Sequence, residues 1–177
     1  DQLHLPDRAG VDERASVLDR GKVARPHTLL AHHALGGCGA FGEVYFASDA
    51  ESNDDVAIKV LPHDPFGGAQ SESALLSTVR KADARGKCPI VRFDGLFRHK
   101  GLDCLVFERL GADMYEVLRA TRHTGISLDD IRRVARCLLK AFVLLRQEDI
   151  VHCDVKPENI LVARGLGSYV RAPFCWS

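Results

Sequence analysis

Residues 151–161 read Val151-His152-Cys153-Asp154-Val155-Lys156-Pro157-Glu158-Asn159-Ile160-Leu161. An acid, a lysine two positions on and an amide three further on share one short loop. Ile150-Val151 leads in and Ile160-Leu161-Val162 leads out. Pro157 and Asn159 are also common turn residues, so the loop by itself admits a plain helix-to-strand connection. A second stretch with chemical potential is Gly36-Gly37-Cys38-Gly39-Ala40-Phe41-Gly42-Glu43-Val44-Tyr45-Phe46. Gly37, Gly39 and Gly42 make G-x-G-x-x-G, a spacing used by two different nucleotide folds. A dinucleotide-binding domain needs a helix straight after the glycines. Here Glu43-Val44-Tyr45-Phe46 has aromatic and β-branched strand character. A polar turn over 48–55 follows, then a second strand, Val56-Ala57-Ile58-Lys59-Val60-Leu61. The glycines therefore bend a hairpin that can lie over phosphates, with backbone N–H groups facing them.

Both stretches resemble protein kinases. The 151–161 spacing resembles the kinase catalytic loop, with Cys153 where an arginine usually stands, and the glycines with Val56-Ala57-Ile58-Lys59 resemble the glycine-rich loop and its lysine strand. The resemblance implies that Asp154 accepts or orients the proton of the substrate hydroxyl. It implies that Lys156 neutralises charge on the transferred phosphoryl group and that Asn159 holds a magnesium ion. Lys59 would hold the α- and β-phosphates of ATP. Gly37, Cys38, Gly39, Ala40, Phe41, Gly42, Val44, Ala57 and Leu161 would line the nucleotide.

The elements that position these groups follow in order. Residues 1–25 are polar and broken by Pro6, Gly10 and Gly21, and read as a tail or linker. His32-His33 has no third ligand nearby, so no metal site is expected there. A loop spans 62–68, and 70–84 has helical spacing, with Leu75, Leu76 and Val79 apolar. Glu72 lies four before Leu76 on one face, which makes it the candidate partner of Lys59. Residues 90–93 and 102–107 read as strands around His99-Lys100-Gly101. Glu108-Arg109-Leu110-Gly111 resembles the hinge between kinase lobes. That resemblance implies Phe107 as gatekeeper, backbone groups of Glu108 and Leu110 against adenine, and Asp113 and Glu116 as ribose candidates. A short helix covers 113–121. Ser127 caps a longer one, with an acid three residues on. Its apolar stripe, Leu128, Ile131, Ala135, Leu138, Phe142 and Leu145, is expected in the core.

Composition bounds the rest. The chain has 177 residues, room for one domain or two small lobes. Lys+Arg and Asp+Glu are both 24, so no nucleic-acid or membrane partner is expected. The cysteines at 38, 88, 104, 137, 153 and 175 lack metal-ligand spacing and read as reduced intracellular thiols. The best apolar run is interrupted by Arg136 and Lys140, and no signal-peptide pattern opens the chain. The expected location is cytoplasmic or nuclear. Asp1 in first position is consistent with a piece of a longer product.

Among kinases, His152-Cys153-Asp154-Val155-Lys156-Pro157-Glu158-Asn159 looks most like the dual-specificity tyrosine-regulated kinases of the CMGC group. Cys104-Leu105-Val106-Phe107-Glu108 and Tyr115-Glu116-Val117-Leu118-Arg119 are similar to that family too. After Val162 the pattern breaks. Asp-Phe-Gly, whose aspartate binds magnesium in the family, is absent, and no Asp or Glu follows Glu158. Residues 169–177 then resemble the end of the family's activation loop, with Tyr169 on the tyrosine that the family phosphorylates on itself. A segment between about 163 and 169 looks excised.

The expected fold is α+β and protein-kinase-like with two lobes. A small lobe of antiparallel sheet plus one helix would cover 26–110, and an incomplete helical large lobe 111–177. The expected function is a serine/threonine, or dual-specificity, kinase domain moving the ATP γ-phosphate to protein hydroxyls with Mg2+. The alternative is a catalytically dead kinase-like remnant that binds nucleotide or protein.

Overall fold

Alternating apolar residues and a pair of left-handed turn positions build the sheet that carries Lys59. The computed structural model describes residues 29–39, 42–49, 52–61, 67–122, 124–163 and 170–171. Expectations for the tail over 1–25, for Ala40, Phe41 and the loop at 62–66, and for Tyr169 with its neighbours in 164–169 and 172–177 lie outside those residues. The chain divides into two compact units. One lies within Asp1–Leu75 and Phe93–Arg109, the other within Leu76–Arg92 and Leu110–Ser177.

The first unit is an antiparallel sheet of five strands. They are β1 (Leu29–Gly39), β2 (Gly42–Asp49), β3 (Asp55–Leu61), β4 (Phe93–His99) and β5 (Leu102–Glu108), in the order β1-β2-β3-β5-β4. Successive strand residues face opposite sides of a sheet. One side gathers Ala47, Val56, Ile58, Val60, Cys104 and Val106 into a buried cluster. Ile58 is 1% exposed, and truncating it to alanine would cost about 3 kcal/mol. Lys100 (φ 49°) and Gly101 (φ 80°) both take left-handed backbone, which a two-residue hairpin turn requires. They close β4 onto β5.

The strand expected over 90–93 is corrected to Phe93–His99. Its register runs from His99 opposite Leu102 to Phe93 opposite Phe107, so β5 and the turn fix its length. At the irregularity between Phe93 and Gly95, Phe93 lies opposite Phe107 and Gly95 opposite Val106, so Asp94 is the extra residue of a bulge. Ile90 and Val91 are buried without belonging to a strand.

Helix α1 (Gly68–Ala82) buries Ala69, Glu72, Leu76 and Val79, a three-and-four spacing that defines one face. In the second unit, α2 (Met114–Ala120) and α3 (Leu128–Gln147) pack around Met114 and Ile160, with Val117, Ile126, Val134, Cys137 and Leu138 against them. Strands β6 (Leu161–Val162) and β7 (Val170–Arg171) pair beside them.

The α3 stripe also needs correction. Leu145 is buried and Leu138 and Phe142 are half-buried, but Leu128 is 58% and Ile131 50% exposed. The packed face is Val134, Cys137, Leu138, Ala141 and Leu145. Apolar residues are frequent enough on α3 to satisfy the helical period on two adjacent faces. Contact with Met114 and Ile160 selects one of them.

Candidate active site

In the first unit, strand alternation sends Val56, Ile58 and Val60 to the cluster and Lys59 to the opposite side of the sheet. There Lys59 Nζ donates to both carboxylate oxygens of Glu72, at 2.9 and 3.2 Å. Both residues are buried. A buried charge is tolerated only when paired, so each residue explains the other's position. An ammonium has three donors; two of them face Glu72. The backbone of the glycine hairpin aligns Gly37 with Val44, Cys38 with Glu43 and Gly39 with Gly42, and Val44 in turn lies opposite Lys59. Ala57 lies opposite Phe107, whose buried ring meets Phe93 at 5.6 Å between centroids and 54° tilt.

In the second unit, the end of α3 sets up the loop. Ile150 N donates to Leu145 O at 2.9 Å and Asp149 N to Arg146 O at 3.3 Å, around a left-handed Asp149 (φ 54°). This is the helix stop in which two overlapping bonds satisfy the last carbonyls, and both Ile150 and Leu145 are buried. Cys153 is exposed and also left-handed (φ 61°). His152 is buried; its Nδ1 and carbonyl both accept from Asp154 N, at 3.3 and 2.8 Å.

The three polar residues of the loop converge. Lys156 Nζ lies 2.8 Å from Asp154 Oδ2, and Asn159 Nδ2 donates to the same oxygen at 2.8 Å and to Asp154 O at 2.9 Å. Pro157–Asn159 is a single 3-10 turn, with proline at its start where no N–H is needed. It swings Asn159 back onto Asp154. Lys156 holds the Asp154 carboxyl below the usual carboxylate range, against partial burial, with the Asn159 hydrogen bond and the Lys156 charge adding to it. Among the described residues no donor reaches Asp154 Oδ1 or Asn159 Oδ1, so each group keeps one oxygen in hand. Behind the loop, Met114 N donates to Ile160 O, Gly111 N to Val162 O and Val162 N to Ala112 O, at 2.9, 2.7 and 2.9 Å. These bonds set Leu161 opposite Asp113.

Asp113 and Glu116 cap α2 reciprocally. Glu116 N donates to Asp113 Oδ1 at 2.7 Å and Asp113 N to Glu116 Oε2 at 3.2 Å. Ser127 caps α3 through its hydroxyl, which accepts from Asp130 N and donates to Asp130 Oδ2. Leu110 is buried. No group of three or more His, Cys, Asp or Glu among the described residues could hold a metal, and no described helix is long and apolar enough to cross a membrane.

Two residues were not singled out by sequence reasoning. His152 stood inside the motif, but nothing local shows that its ring turns back onto the next residue but one. Arg109 pairs with Asp55, which precedes it by 54 positions, a relation only the sheet register creates.

Comparison with known proteins agrees with this architecture. Residues 31–168 match the model of the protein kinase domain, so the chain belongs to the protein kinase family. It is 37% identical over 165 residues to serine/threonine-protein kinase ppk15 of Schizosaccharomyces pombe, covering 90% of this chain and 28% of that protein. It is 32% identical over 145 residues to dual specificity tyrosine-phosphorylation-regulated kinase 4 of Homo sapiens, covering 80% and 28%. With dual specificity tyrosine-phosphorylation-regulated kinase 2 of Drosophila melanogaster it shares 34% over 138 residues, covering 76% and 19%. This is a kinase domain like those of the dual-specificity group. It spans less than a third of the length of these relatives. The family in general uses ATP, a divalent metal and protein substrates.

Proposed function

We propose that the chain carries the nucleotide- and substrate-positioning parts of a protein serine/threonine kinase, with dual specificity as the finer reading. In this reading residues 26–110 form the small lobe, 111–177 part of the large lobe and 1–25 a tail, in a cytoplasmic or nuclear protein. The observation that carries it is the convergence of Lys156 and Asn159 on one oxygen of Asp154. Two donors fix the carboxylate and keep it ionised, and the other oxygen remains to accept and orient a substrate hydroxyl proton. Lys156 also places a cation where phosphoryl charge develops. Lys59, steadied by Glu72, contacts the α- and β-phosphates, with the 37–42 glycine hairpin and Val44 above them. In the first unit Ala57 and Phe107 are the candidates for contact with the base, and in the second unit Leu161 is. The Glu108 carbonyl accepts from the exocyclic amine, Leu110 offers backbone groups, and Asp113 or Glu116 reaches the ribose. Tyr169 is the candidate for self-phosphorylation.

Magnesium takes oxygen ligands, keeps several waters and binds through substrate phosphates. Asn159 fits one such position, because both its hydrogen bonds use Nδ2 and the amide oxygen is left. When bound, the ion neutralises phosphate charge.

A second reading, binding without transfer, has its own observation: no Asp or Glu follows Glu158. The carboxylate that the family supplies from Asp-Phe-Gly has no counterpart in this chain. The two readings divide on one comparison. A chimera that replaces residues 164–168 with the corresponding segment of the human relative and continues through the rest of its kinase domain should gain magnesium-dependent transfer to a basic protein, abolished by Asp154→Asn. A chimera that binds ATP yet transfers nothing would favour the second reading.

A further inference from the structure

Beside the packed face of α3 runs a second apolar row, Leu128, Ile131, Ala135, Leu139 and Val143, and all five are exposed. Their spacing of three and four keeps them on one side of the helix, over a length of about 22 Å. Arg132, Arg136 and Lys140 each follow one residue behind a member of that row and are exposed as well. At about 100° per residue they form a basic row along the flank that looks away from the packed face. Arg132 pairs with Asp129 at 2.9 Å, but both side chains are more than half exposed, so the tie is weak. Among the described residues no carboxylate pairs with Arg136 or Lys140.

The loop after α1 extends the basic row. Cys88 Sγ donates to Lys140 O at 3.6 Å, which sets the exposed Lys87 beside the Lys140 end. The acid of that loop, Asp83, already accepts from Lys87 N and Cys88 N, both at 2.9 Å.

Charge decides which partner such a surface fits. A second copy of α3, laid antiparallel, would match Leu128 with Val143 and Ile131 with Leu139 across Ala135. The same two-fold would bring Arg132, Arg136 and Lys140 against their own copies, and like charges in apposition oppose association. A polyanion such as nucleic acid would answer the basic row and leave the apolar row uncovered. A helix with an apolar face and carboxylates along one flank covers both rows.

We infer that this side of α3, with Lys87, docks an acidic amphipathic helix of a partner protein. Its apolar face covers Ile131, Ala135, Leu139 and Val143, and its carboxylates run along one flank against Arg136, Lys140 and Lys87. The buried apolar contact supplies affinity, and the charges select the partner and its direction.

The probe is a fluorescein-labelled helical peptide of about 18 residues, long enough to span the row, with leucines on one face and glutamates along one flank. A control peptide keeps the leucines and carries lysines in place of the glutamates. Fluorescence polarisation reads binding of each to the 177-residue chain. The acidic peptide should bind roughly tenfold more tightly than the basic one, and the ratio should shrink as salt is raised. Arg136→Glu/Lys140→Glu should reverse the preference, and Leu139→Ser should weaken both peptides. If the double reversal fails to fold by far-ultraviolet dichroism, Arg136→Gln/Lys140→Gln carries the same comparison and should bring the ratio close to one. Equal binding of the two peptides by the wild type, or a preference that survives these charge changes, would overturn the inference. So would a chain that binds neither peptide, whether it sediments as a dimer instead or adsorbs to phosphatidylserine vesicles.

Discussion

Lys59 Nζ lies 2.9 Å from Glu72 Oε1, and the two side chains are only 10% and 7% exposed. Removing one partner strands the other charge in a poorly solvated place. Lys59→Met should lower the unfolding free energy by about 3 kcal/mol and weaken ATP binding. The double variant Lys59→Met/Glu72→Leu should recover much of the stability but none of the binding. Thermal unfolding with and without ATP reads both effects. An equal ATP-induced shift in wild type and Lys59→Met would take Lys59 off the phosphates.

Asp154 titrates below the usual carboxylate range, chiefly through the hydrogen bond from Lys156. A depressed folded-state value favours folding above the ordinary carboxylate pKa, and that contribution is lost as pH falls through the depressed value. Lys156→Ala should raise the Asp154 midpoint towards the ordinary range, and Asn159→Ala should raise it less. Carboxyl carbon NMR titration follows this directly. A midpoint unmoved by Lys156→Ala would show that the 2.8 Å contact does not persist in solution.

Asp149 takes a left-handed conformation that glycine adopts without strain. Its pairing with Arg146 is fully exposed, at 86% and 91%, and contributes little. Asp149→Gly should therefore stabilise the chain by about 0.5–1 kcal/mol in urea denaturation. A loss of stability would mean that the ion pair matters more than the backbone.

The outer side of α3 shows Leu128, Ile131, Leu139 and Val143 at 50% exposure or more. Contiguous apolar surface of this kind binds hydrophobic dyes and promotes association. The chain should bind such a dye strongly. Leu139→Lys should reduce dye binding and aggregation while changing stability by no more than about 0.5 kcal/mol. A monomer that binds no dye would contradict this.

Much of this was legible in the sequence because the informative features are local. The strand after Gly42, the alternation around Lys59, the face shared by Glu72 and Leu76, and the density of residues 152–159 each lie within one short window. What escaped depends on distant partners. The start of β4 is set by β5, not by Ile90 and Val91. The buried side of α3 is chosen by Met114 and Ile160, which its own period cannot indicate. Asp113 and Glu116 were read for their carboxylates, while the reciprocal cap that uses them follows a spacing visible in the same four residues. The Arg109–Asp55 contact needed the register of a strand pair.

Phosphoryl transfer depends on positioning and charge neutralisation more than on covalent work by the protein. Losing one charge-stabilising group in such a site typically costs roughly a hundredfold to a thousandfold in rate. Asp154 and Asn159 are held together here, but no carboxylate follows Glu158. The most direct measurement is magnesium-dependent transfer of labelled phosphate from ATP to a basic protein by the 177-residue chain, with Asp154→Asn as the blank. The account predicts a rate indistinguishable from the blank in a chain that still binds ATP. Transfer clearly above the blank would contradict it, and would mean that another group completes the site.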